Sequence, residues 1–343
     1  MRKLLNTLYV TQPDIYLSLD GENVVARREN ETLLRIPLHN LEGIVTFGYT
    51  GASPALMGAC AEKSIAMTFL TMNGRFLASV IGIEKGNVLL RKTQYRISDS
   101  EEDSFFIARN ILLGKFHNSR WVLERAIRDH ALRMDVQQVT NAAKAISNAT
   151  DSLREKQTLG QLRGIEGEVA SRYFSVFNEL ILQNKEAFIF DGRNRRPPLD
   201  RVNALLSFSY ALLSNDVSAA LNATGIDPFI GFLHRDRPGR RSLALDLMEE
   251  LRAPIADRFV LTLINNRQLD SNDFVIMENG AVFMKDEARK VILTSWQKRK
   301  QDQITHPFLK EKIPWGLVPH VQALLLAQHL RGDLDEYPPF LWK

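Results

Sequence analysis

Apolar and polar positions along this chain change rhythm partway. Near the start they favour a period of two, and later a period near 3.6, so the pattern predicts a β-rich part followed by a helical one. Ile15, Leu17 and Leu19 alternate with polar neighbours, Asp20-Gly21 supplies a hairpin turn, and Val24-Val25 begins a return strand. Asn73-Gly74 marks a second hairpin between residues 66–70 and 76–81. Between the two, Ser53 suits an N-cap and Pro54 the first helical position, which predicts a short helix through residues 56–62.

A polar, acidic stretch, SDSEED at 98–103, predicts a domain boundary. The expected architecture is α+β: a β-rich N-terminal domain over 1–97 and a larger all-α catalytic domain over 98–343. Helical periodicity covers 102–134, 136–155, 159–183, 200–213, 242–266, 287–300 and 317–330. Asn279-Gly280 suggests one small hairpin between 274–277 and 281–283, and the tail DLDEYPPFLWK, with its two prolines, should run extended. No internal repeat or low-complexity tract interrupts this order.

The 343 residues, 45% hydrophobic and 24% charged, provide for two cores. No uninterrupted apolar run approaches the roughly 18 residues of a membrane span. No signal-peptide stretch follows the opening Met-Arg-Lys, so a cytoplasmic protein is expected. A single cysteine, Cys60, excludes a disulfide framework and a thiolate zinc cluster. Net charge is only +4, so the placement of arginines carries more information than their number.

The richest segment is GFLHRDRPGRRSLALDLMEELR, residues 231–252. His234 ends an apolar run and precedes a Pro/Gly turn carrying Arg235, Arg237, Arg240 and Arg241. A helix then opens at Ser242 and sets Asp246, Glu249 and Glu250 on one arc about 100° wide. Such an arc is either a solvated face or a metal half-site, and periodicity does not choose between Glu249 and Glu250. A second acid, Glu166 in LRGIEGEVASRYF, falls on the apolar arc of its helix with Leu162 and Tyr173, where an uncompensated charge is costly. Gly164 and Gly167 beside it would permit close approach of a backbone or ligand. One imidazole with several carboxylates suits Mg²⁺ or Mn²⁺ better than structural zinc. Such an ion beside phosphate-gripping arginines suits the cutting or joining of a phosphodiester backbone. A second basic loop, Arg193, Arg195 and Arg196 before two prolines, leads into a helix with Asn203, Ser207 and Tyr210, and is a further candidate for DNA contact. Walker, dinucleotide, G-x-S-x-G and H-E-x-x-H signatures are absent.

Taken in order, RGIEGEVASRYF, RNRRPPLDRVNALLSFSYALL, GIDPFIGFLHRDRPGRRSLALDLMEELR and LLLAQHLRGDLDEYPPFLW resemble the CRISPR-associated adaptation integrase family, the first Cas protein, and most closely its type I-C branch. The resemblance implies a sandwich-like N-terminal domain that mediates homodimerisation, with a helical catalytic domain after it. It implies Glu166, His234 and Glu249 as ligands of Mg²⁺ or Mn²⁺, with Asp246 supporting them. It also implies that double-stranded and branched DNA is the substrate, and that a small ferredoxin-like second Cas protein joins two dimers in a heterohexamer. The implied reaction is attack of a DNA 3′-hydroxyl on a phosphodiester of the CRISPR array, with endonuclease activity when water replaces the hydroxyl. Two other readings stand beside it: a non-catalytic DNA-binding scaffold and a structure-selective repair nuclease.

Overall fold

The computed structural model describes residues 6–29, 31–49, 51–80, 88–155 and 158–343. The expected strand end at Ile81 lies outside them. Two compact units emerge, Met1–Lys85 with Met284–Asp302, and Gly86–Phe283 with Gln303–Lys343.

In the first unit, strands β1 (Thr7–Val10), β2 (Tyr16–Asp20), β3 (Asn23–Arg28), β4 (Glu31–Pro37) and β5 (Gly43–Phe47) precede helix α1 (Pro54–Glu62) and strands β6 (Ala66–Leu70) and β7 (Phe76–Val80). They form two sheets, β1-β5-β6-β7 and β2-β3-β4. Strand β5 is central and parallel to both neighbours, and all five of its residues are buried. This is why GIVTF shows no alternation to read. Leu17, Val24, Leu38, Ile44, Leu56, Cys60 and Met67 form one core. Ser53 caps α1 as expected, its hydroxyl accepting from Leu56 N at 3.2 Å. Both expected hairpin glycines, Gly21 and Gly74, have positive φ.

The second unit holds α2 (Val88–Asp99), α3 (Glu101–His130), α4 (Val136–Ser152), α5 (Leu159–Ser175), α6 (Arg201–Thr224), α7 (Ser242–Leu251) and α8 (Arg258–Asn265). After the hairpin strands β8 (Phe274–Ile276) and β9 (Val282–Met284), helix α9 (Asp286–Gln301) falls in the first unit. The second unit resumes with β10 (Gln303–Thr305), β11 (Lys312–Pro314) and α10 (Val318–Arg331). The later half is therefore helical with two short two-stranded sheets.

Two expectations need correction. The stretch SDSEED, expected to mark a boundary, is a helix start within the second compact unit: Ser100 Oγ accepts from Asp103 N at 3.2 Å, and three acids occupy the first turn of α3, where the dipole favours them. The helix expected over 242–266 is interrupted by a π-helical turn, Arg252–Asp257, containing Pro254, which has no N–H to give an α-helical bond. The expectation that no uninterrupted apolar run reaches a membrane span stands, although helix α6 is long and apolar enough to cross one by length and average composition. Most of its apolar window is buried within the fold, as in the core helix of a globular unit.

Candidate active site

Helix α7 is buried nearly all round, and Asp246, Glu249 and Glu250 are 0%, 2% and 0% exposed. The three acids on one arc are therefore not a solvated face. Burial of an ionised group is tolerable only with partners, and each acid has its own.

Asp246 holds the loop that ends in His234. Its Oδ2 accepts from the amides of Phe232 and Leu233 at 2.7 and 2.9 Å. Its Oδ1 accepts from His234 N at 2.9 Å and lies 2.5 Å from His234 Nδ1. The loop can lie this close because residue 231 is glycine: a Cβ there would stand 2.8 Å from Asp246 Oδ2. From α2, Gln94 Nε2 donates to the carbonyls of Asp227 and Ile230, both at 2.8 Å, and steadies the same loop upstream.

Glu250 faces the extended tail. It accepts from the Tyr337 hydroxyl, from Gln322 Nε2 at 2.9 Å and from Phe340 N at 2.8 Å. Burial pushes its carboxyl up to about 7, against these three hydrogen bonds. Asn118 pins the tail again, donating to Phe340 O at 2.7 Å and accepting from Trp342 N at 2.8 Å.

Glu249 turns instead to a cavity of about 590 Å³, which Lys115, Glu166, Arg193, Arg195, Tyr210 and Arg252 also line. Its Oε1 lies 2.9 Å from Arg252 Nη2 and its Oε2 2.7 Å from Lys115 Nζ. The same Lys115 ammonium contacts Glu166 Oε1. Burial drives the Glu249 carboxyl up, but the charges of Arg252, Lys115 and His234 outweigh it and hold the group down at about 2. Two acids from different helices thus meet on one cation.

His234 is within electrostatic reach of Glu249 but does not line the cavity. Among the described residues, no three His, Cys, Asp or Glu side chains are drawn together as a metal site. Lys115 stands between the two acids instead. The donor chemistry nonetheless suits a hard divalent ion. Two carboxylates already converge on one positive charge, and the buried Glu249 Oε2, despite its ion pair, lacks a hydrogen bond of ordinary geometry. With Nδ1 committed to Asp246, Nε2 is the ring atom left to ligate.

The candidate DNA-contacting residues divide by burial. Arg195, Arg196, Arg235 and Arg237 are exposed. Arg240 is half-buried and feels the charge of both Arg237 and Arg195, so the two basic loops come near each other. Arg193 is tied to Asn203 and Ser207 at 2.6 and 3.1 Å, with its guanidinium 5.3 Å from the Tyr210 ring centroid. Tyr210 also donates to Asp257 at 2.6 Å. Arg241 donates to Ser218 at 3.0 Å, and burial lowers its pKa to about 10. Gly164 and Gly167 make no close approach, since a Cβ at either would meet nothing within 4 Å.

Sequence reading missed Lys115, Arg252, Asp257 and Gln94. Lys115 carried a usable signal: it lies four residues after Ile111 and four before Ser119, on the buried arc of α3, the same anomaly that singled out Glu166.

A family model described as CRISPR associated protein Cas1 matches residues 8–298. Over the full length of both chains, 51% of residues are identical to the CRISPR-associated endonuclease Cas1 1 of Chlorobaculum tepidum, and 51% to the Cas1 2 of Rhodospirillum rubrum. Among solved structures, a casposase bound to integration product superposes with a TM-score of 0.83 at 23% identity, covering 98% of this chain and 93% of that one. A Cas1 protein from Thermotoga maritima does so with 0.81 at 23% identity, covering 95% and 97%. Both have the same β-then-helical fold.

Proposed function

The chain belongs to the family of CRISPR-associated Cas1 proteins, and on that premise we propose that it is a metal-dependent DNA integrase and endonuclease that inserts short foreign duplexes into a CRISPR array. The observation that carries the reading is the meeting of Glu166 and Glu249 on a single cation in a cavity that Arg193 and Arg195 also line.

Glu166, Glu249 and His234 Nε2 are the groups that would hold Mg²⁺ or Mn²⁺. When bound, such an ion lowers the pKa of an oxygen nucleophile and offsets charge on phosphoryl oxygens. The remaining work falls to the chain. Arg252 keeps Glu249 ionised, and so a ligand rather than an acid. Asp246 fixes the imidazole ring and its tautomer. Arg195, Arg235 and Arg237 grip backbone phosphates without reading bases. The incoming DNA brings the nucleophile, a 3′-hydroxyl: its oxygen bonds to phosphorus as the older P–O bond breaks, its proton passes to solvent, and the released oxygen of the array strand takes up a proton from solvent to become a free hydroxyl. Water in its place gives hydrolysis. In this reading the chain works in the cytoplasm as a homodimer with a small ferredoxin-like second Cas protein, on double-stranded and branched DNA.

The test is turnover of labelled branched DNA with Mn²⁺. Wild type should process it, while Glu166→Ala, His234→Ala and added chelator should each abolish processing. Undiminished turnover in both variants would remove the site assignment.

A further inference from the structure

Both oxygens of Glu249 meet a cation, but the two cations are held very differently. Arg252 lies one turn further along the same helical path, and its guanidinium stacks 5.1 Å from the Tyr210 ring centroid. Packing fixes it. Lys115 arrives from a separate helix, α3, as a point charge on a flexible stem, and it lines the cavity. Its ammonium touches Glu249 Oε2 and Glu166 Oε1, the two oxygens that converge from α7 and α5. Among the described residues, Oε2 finds no hydrogen-bond partner of ordinary geometry, the lysine included.

We propose that Lys115 is a built-in counter-cation that holds the place of the divalent ion between Glu166 and Glu249 and withdraws when that ion binds. The proposal deepens the metal-dependent reading and rests on it. Two carboxylates aimed at one point repel each other and would splay apart in a low-dielectric site. The ammonium keeps them aimed together, so the donor pair is assembled before any metal arrives. The cost is competition, because an ammonium and a divalent ion cannot occupy one point. Once displaced, the lysine remains in the cavity where DNA phosphates would lie.

The experiment is a Mn²⁺ titration of the full chain, read by the loss of the free-ion electron paramagnetic resonance signal, for wild type, Lys115→Met and Lys115→Gln. Both folded variants should bind Mn²⁺ more tightly, by roughly tenfold, a common size for coupling between two binding events. Their strand transfer should nonetheless be slower. A merely structural lysine would lower affinity when removed, so a rise separates the two roles. If Lys115→Met fails to fold, Lys115→Gln carries the test, since its amide still donates to the carboxylates. Equal or weaker Mn²⁺ binding by a folded variant overturns the role of Lys115 and leaves the metal reading standing. Mn²⁺ that binds none of the three chains at millimolar concentration overturns both.

Discussion

Asp246 holds His234 twice, at the backbone amide and at ring Nδ1, from a position with no solvent exposure. One carboxylate therefore sets both where the histidine stands and which nitrogen remains available. Asp246→Ala should leave two buried amides and one half-buried one without an acceptor and cost about 3–5 kcal/mol, as breaking a buried charged network does. Asp246→Asn keeps the shape but cannot accept from the ring and all three amides. It should lower Mn²⁺ affinity about 10–100-fold, the usual range for a ligand-orienting partner. Thermal melts and Mn²⁺ titration check both. Wild-type affinity in a folded Asp246→Asn protein would contradict the positioning role.

Glu166 and Glu249 should separate when each is replaced by alanine. Both losses should abolish strand transfer. Glu249 is buried between Arg252 and Lys115, so Glu249→Ala strands a half-buried guanidinium and a nearly buried ammonium and should cost about 3–5 kcal/mol of stability. The Glu166 side chain is 28% exposed, and Lys115 keeps Glu249 when it is removed. Glu166→Ala should therefore cost about 1 kcal/mol or less. Urea denaturation of the two variants measures the difference.

Asp257 gives the site a stability-versus-pH signature. Burial raises its carboxyl to about 6, opposed by the Tyr210 hydrogen bond and the charges of Arg252 and Arg193. An unfolded aspartate titrates near ~3.9. The folded state thus retains its proton at higher pH than the unfolded state, and stability falls as pH rises from the unfolded value to about 6. Above that, the contribution is constant. Asp257→Asn should remove this slope, so melting temperatures of variant and wild type should diverge across that window. Parallel melting curves from pH 4 to 7 would refute the shift.

Arg195 and Arg241 lie on neighbouring basic loops and should fail differently. Arg195 is exposed beside the cavity, so Arg195→Ala should weaken DNA binding, reduce the salt dependence by roughly one phosphate contact and leave melting unchanged. Arg241 is committed to Ser218, so Arg241→Ala should lower the melting temperature and leave the salt slope intact. Binding isotherms at several salt concentrations, with melts, distinguish the two.

Local rules served well where a feature depends on neighbouring residues. Ser53-Pro54 opened a helix, Asp20-Gly21, Asn73-Gly74 and Asn279-Gly280 made turns with positive-φ glycines, and the helical arcs of α4, α9 and α10 ended within a few residues of expectation. They failed where context overrides them. Strand β5 is buried on both faces and shows no alternation, and SDSEED reads as a linker until the helix it caps is seen.

The same division runs through the site. Composition and periodicity alone place charges on apolar arcs, which is how Glu166 was found, and they fix that Asp246, Glu249 and Glu250 share one side of a helix. They say little of what neutralises each charge: Arg252 lies one turn from Glu249, but Lys115 for Glu249 and Tyr337 for Glu250 come from far along the chain, and the backbone of 232–234 reaches Asp246 from a separate loop. A buried carboxylate takes its character from whatever the fold brings within about 3 Å. The resemblance pointed to Glu249 with Asp246 in support, but only the packed molecule gives the physical reason: one acid meets cations, the next anchors the tail and the third clamps a histidine.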